Sequence, residues 1–163
     1  MRVETILVPL DGSPLAETAI GPAWELASSW RATLILLRAA EAHTFPGVDP
    51  TDAQVQVVGE AETYLVAAAE RLKQQGATKV EVSVWYGPAA GVIVEAARAR
   101  KVDLIVMTTH GRGGLGRLIL GSVAESVLRG TNTPILLLRA PEAPVEPPTG
   151  AGQARPSKES PNV

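Results

Sequence analysis

Between Asp103 and Gly130 the chain runs DLIVMTTHGRGGLGRLILGSVAESVLRG, a short apolar run followed by a glycine-rich loop and then a helical pattern. This order constrains the fold more than any other stretch. An apolar strand without polar alternation is buried on both faces, so it needs layers of structure on either side, as in a parallel α/β sheet. The loop is then delivered at the carboxyl edge of that sheet, where ligands of open α/β folds sit. Gly111, Gly113, Gly114 and Gly116 can turn their amides toward an anion, and Gly121-Ser122 opens the helix over residues 122–130.

Two phosphate motifs compete for this loop. Gly111 to Gly116 is literally G-x-G-x-x-G, but the dinucleotide form wants a helix directly after the glycines and an acidic residue about 20 positions on, and residue 136 is Leu in an apolar strand. A P-loop aligns on Gly111 and Gly116 but meets Arg117 and Leu118 where Lys and Ser/Thr are required. The spacing that remains is Gly111, nine residues, then Gly121-Ser122. In this the chain resembles the universal stress protein family, whose nucleotide-binding members carry G-x-x-G, nine residues, then G-[ST]. Thr108 stands where the first glycine belongs. The resemblance extends to ILVPLDGS at residues 6–13, to the LILLRA strand and to TPILLLR, and covers roughly residues 3–139.

The remaining strands and helices alternate along the chain. Val3–Pro9, Ala32–Ala39, Lys79–Tyr86, Asp103–Thr108 and Pro134–Arg139 read as strands. Ser13 caps a helix that has Pro14 at its first position and runs to Trp30, with Ala19, Ala23, Leu26, Ala27 and Trp30 on its apolar stripe. A second helix spans residues 52–75 and stops at Gly76, and a third runs from Pro88 to Arg100. The one polar face of residues 79–86 puts that strand at an edge of the sheet. These elements give a single doubly wound, Rossmann-like α/β domain over residues 1–139, with five parallel strands and about four helices. The family resemblance implies the strand order 3-2-1-4-5. Residues 40–51 are turn-formers without periodicity and are expected to be a surface loop. From Ala140 the chain becomes proline-rich and cannot pack a core, so residues 140–163 are expected to be a disordered tail.

Composition excludes several functions. The absence of cysteine rules out a disulfide or a thiolate metal site, and the two isolated histidines, His43 and His110, cannot make a zinc site alone. A net charge of −2 gives no attraction to nucleic acid or to a bilayer surface, and no apolar run approaches the roughly 20 residues of a membrane span. The N-terminus enters a strand without a signal-peptide pattern, so the expected compartment is the cytoplasm.

The resemblance implies a bound adenine nucleotide. It seats the base against Pro9, Ala39 and Met107 and gives phosphate contact to the Gly121-Ser122 amides and hydroxyl. The candidate site is Pro9, Leu10, Asp11, Ala39, Met107, Thr108, His110, Gly111, Arg112, Gly114, Gly121, Ser122 and Val123, with ATP as ligand and AMP or ADP as alternatives. Strands one and four side by side bring Asp11 to the loop, where its carboxylate can accept from ribose or hold a magnesium ion, or else only close an Asx-turn. Ser122 to Glu125 also reads as a capping box, which would account for the serine without a ligand. Thr108 either is strained or sits at an ordinary strand end.

No nucleophile with an adjacent base and no phosphate lysine is present, so at most slow hydrolysis is expected. The leading expectation is an ATP-binding, cytoplasmic stress-response regulator in which nucleotide conditions the glycine loop and a contact with a protein partner. The competing one is a nucleotide-free interaction module. Both include a homodimer through the edge strand 134–139, which is apolar on both faces. An NAD-dependent enzyme has only the literal glycine match in its favour.

Overall fold

The computed structural model describes residues 2–42, 50–109 and 121–139. Ten elements follow in order: β1 (Thr5–Pro9), α1 (Pro14–Glu17), α2 (Ile20–Trp30), β2 (Thr33–Ala40), α3 (Pro50–Gln74), β3 (Val80–Tyr86), α4 (Ala89–Ala99), β4 (Leu104–Thr109), α5 (Ser122–Gly130) and β5 (Ile135–Arg139). All pairings are parallel and the sheet order is β3-β2-β1-β4-β5. This is the expected doubly wound α/β fold. The half-polar β3 does lie at an edge.

Strand alternation divides the core in two. Ile6, Val8, Leu34, Leu36, Leu104 and Val106 face α1, α2 and α3, and pack with Ala23, Leu65, Ala69 and Leu72. Leu7, Ile35, Leu37, Ile105 and Met107 face α4 and α5, packing with Ile93, Ala96, Ala97, Ala124 and Val127. All six residues of β4 are buried, as a central strand covered on both sides requires.

The first helix departs from expectation. It is not continuous from Pro14 to Trp30 but breaks at Thr18-Ala19. Pro22 has no N–H for the Thr18 carbonyl and its ring would crowd that oxygen. The chain tightens instead: Thr18 and Ala19 donate their amides three residues back, to Leu15 and Ala16, and the Thr18 hydroxyl donates to the Leu15 carbonyl at 2.6 Å. Trp30 is also not in the core but about half exposed, because α2 ends there, at a left-handed Arg31.

The two ends of the β1–β4 seam differ. At the amino edge Asp103 Oδ2 accepts the amides of Glu4 at 2.8 Å and Thr5 at 2.9 Å, tying the strands together. At the carboxyl edge they part. β1 pairs with β2 as far as Pro9↔Leu37 and β4 with β5 as far as Thr109↔Arg139, whereas β1 and β4 share only Ile6↔Leu104 and Leu7↔Ile105. The Leu10 amide donates to Leu37 of β2, so by the alternation along a strand position 9 faces β4. Proline there has no donor with which to continue the ladder.

Candidate functional site

The parting of β1 and β4 opens a cavity of about 370 Å³ at the carboxyl edge of the sheet, on the α4–α5 side. Nine of the sequence-derived candidates line it: Pro9, Leu10 and Asp11 at the end of β1, Ala39 on β2, Met107 and Thr108 on β4, and Gly121, Ser122 and Val123 at the start of α5. His110, Gly111, Arg112 and Gly114 lie outside the described residues, as does the tail. Sequence reasoning missed Ala89 and Ile93 of α4, which with Ala16, Leu37 and Ala124 complete the wall. Val92, Ile93, Ala96 and Ala97 form the buried stripe of α4, but nothing in a stripe says that its upper end looks into a cavity rather than into the core.

The turn after β1 is tightly built. Asp11 Oδ1 accepts the Ser13 amide at 2.8 Å, closing the Asx-turn, and Gly12 takes φ +84°. Ser13 Oγ then caps α1 by accepting the Ala16 amide at 3.1 Å, with Pro14 in the first turn. The turn role of Asp11 is therefore real, and it leaves the residue at the cavity rim. Asp11 is the only ionisable residue among the described lining. An anion bound here would need a cation beside that carboxylate or donors from the backbone.

The opposite rim is the N-terminus of α5, where the expected capping box does not form. Gly121 is the N-cap, without any side-chain cap bond, and Ser122 is the first helical residue. Glu125 is turned away from the helix start and bonds Arg129 at 2.7 Å. The serine is thus unused by the helix, and the acidic side chain that would repel an anion is neutralised one turn further on. Gly121 has φ −56°, which any residue adopts, so backbone conformation does not demand glycine there.

Thr108 sits in ordinary extended backbone within β4, paired with Leu138 and 8% exposed. Positive φ at non-glycine residues occurs, among the described residues, only at Arg31 and Lys101. The β-branched residue is unstrained, and it presents its side chain at the cavity wall. No group of three or more His, Cys, Asp or Glu that could hold a metal occurs among the described residues, so a magnesium ion at Asp11 would depend on phosphate oxygens and water for its other ligands.

The model of the universal stress protein family matches residues 2–139. The chain belongs to this family. A universal stress protein of Methanocaldococcus jannaschii is 29% identical over 141 residues, covering 84% of this chain and 82% of that one. A Mycobacterium tuberculosis member is 32% identical over 137 residues, 82% of this chain but only 45% of its own length. Among solved structures, a family protein from Burkholderia pseudomallei superposes with a TM-score of 0.69 at 30% identity over 84% of this chain and 96% of that one. A universal stress protein solved in complex with cAMP gives 0.68 at 26% identity, over 86% and 99%. No helix among the described residues is long and apolar enough to cross a membrane.

Proposed function

We propose that this universal stress protein binds an adenine nucleotide, ATP with magnesium in the first instance, in the cavity between β1 and β4, and that it serves as a cytoplasmic stress-response regulator. One observation carries the reading: nine of the candidate residues, drawn from stretches about 100 positions apart, line a single cavity whose far rim is a helix N-terminus without a side-chain cap. An apolar wall of Ala39, Ile93 and Met107 suits the flat face of a base. The α5 amides and the Ser122 hydroxyl suit a phosphate, with Asp11 placed for ribose hydroxyls or a phosphate-bound magnesium ion. The family member in complex with cAMP supports an adenine ligand.

Titration calorimetry of the nucleotide-stripped protein with Mg-ATP tests this, with a Kd on the order of micromolar expected. Asp11→Ala should weaken binding. Gly121→Ser keeps a favourable N-cap and an allowed φ, so loss of binding without loss of stability isolates close approach of the ligand to that backbone. At 100 times Kd the ligand should stabilise the fold by about 2.7 kcal/mol. No heat and no thermal shift at millimolar Mg-ATP would leave the second reading, a nucleotide-free module whose output is a β5-mediated homodimer. That reading draws on the edge position of β5, where Ile135 to Leu138 are only half-buried.

A further inference from the structure

Behind the Asp11–Gly12 turn, on the face away from the cavity, lies a polar cluster drawn from three elements. The Arg38 guanidinium of β2 packs on Gly12: a Cβ built there would stand 3.5 Å from both terminal nitrogens and 3.6 Å from Cζ. Near-equal distances mean that the guanidinium presents its face to the turn, not an edge. Its carbon also lies 5.0 Å from the centroid of the Tyr64 ring in α3. The Tyr64 hydroxyl donates to Glu17 Oε1 of α1 at 2.9 Å, and Arg71 donates to Glu17 Oε2 at 3.2 Å. Tyr64 is half-buried, and burial, then the bond to Glu17 and its charge, push the phenol above the ordinary tyrosine range. The ring is therefore kept neutral and hydrogen-bonded beside the cation. Arg38 does not line the cavity.

We infer that Arg38 is a positioning residue: it clamps the Asp11–Gly12 turn from behind, braced by Tyr64 and Glu17, and so sets where the Asp11 carboxylate stands at the cavity rim. Three features support this. The left-handed Gly12 has no side chain to occupy the space behind the turn, the flat guanidinium fills that place, and a stacked Arg cannot be replaced by a point charge. The consequence for ligand binding rests on the nucleotide reading above; the clamp itself does not.

Two measurements on the full-length protein separate them. The Ser13 amide, bonded to Asp11 Oδ1, reports the turn through its hydrogen exchange by NMR, with the Leu36 amide of the core as reference. In Arg38→Ala the Ser13 amide should exchange about tenfold faster while Leu36 is unchanged, and Mg-ATP should bind about tenfold more weakly. Arg38→Lys should rescue neither, since it restores the charge without the flat face. Tyr64→Phe should move both in the same direction by less. Unchanged Ser13 exchange in Arg38→Ala, or full rescue by lysine, overturns the clamp. Faster Ser13 exchange with unchanged affinity overturns its role in binding. If the wild-type protein takes up no Mg-ATP, the nucleotide reading falls and Ser13 exchange alone decides the clamp.

Discussion

Gly12 and Asp103 mark the two ends of the β1–β4 seam, and each is bound to its place by a different physical demand. Gly12 holds φ +84°, so Gly12→Ala should cost about 1–2 kcal/mol through the left-handed backbone alone, measurable by urea denaturation. Asp103 gathers two backbone amides on one oxygen. Asp103→Ala should cost about 2 kcal/mol by the same measurement, because both donors lose a charged acceptor. Tyr64 carries a pH signature. Its raised pKa means that the folded protein holds the phenolic proton to higher pH than the unfolded chain. The resulting stability is complete below the ordinary tyrosine value of about 10 and declines as pH rises through the folded value. Alkaline denaturation should show this decline, blunted in Tyr64→Phe.

Among the elements, the sequence was most reliable where two signals agreed and least where one pattern admitted two geometries. Ser13 followed by Pro14 placed the start of α1 correctly, and Gly76, at φ +102°, placed the end of α3. The S-x-x-E pattern at Ser122 was true as spelling and false as structure. The helix starts one residue earlier in capping register, and Glu125 finds a better partner in Arg129 than in a backbone amide. Pro22 broke a helix whose apolar stripe continued through it, since periodicity reports a face and not the ladder of bonds beneath it. Packing between α4 and α5 yields a further test: a Cβ on Gly130 would stand 3.0 Å from Val94 Cγ2. Gly130→Val should therefore cost roughly 1–3 kcal/mol, and Val94→Ala in the same chain should recover part of it, the non-additivity being read from a double-mutant cycle.

At the scale of the whole molecule the outer edge of β5, which meets no further strand among the described residues, is the feature with consequences beyond one chain. Pro134 gives its carbonyl to Ile105 of β4, so by strand alternation the Leu137 amide points off the sheet. If two copies pair along β5, sedimentation should show a dimer at micromolar concentration. Leu137→Pro should yield a folded monomer, because the proline removes a donor from the open edge and none from the β4 ladder. The sequence by itself determined the α/β class, the strand and helix order, and the motif residues, since these follow from hydropathy period, caps and glycine spacing, which are local. The strand order 3-2-1-4-5 came through family resemblance, and the structure agrees. Only the tertiary structure decided that β1 and β4 part after Leu7, that Ala89 and Ile93 close the cavity from α4, and that Arg38 stands behind Gly12. Those facts depend on distances between residues far apart in the chain, and they arise where Pro9 withholds one hydrogen bond and side chains from separate elements fill the space that results.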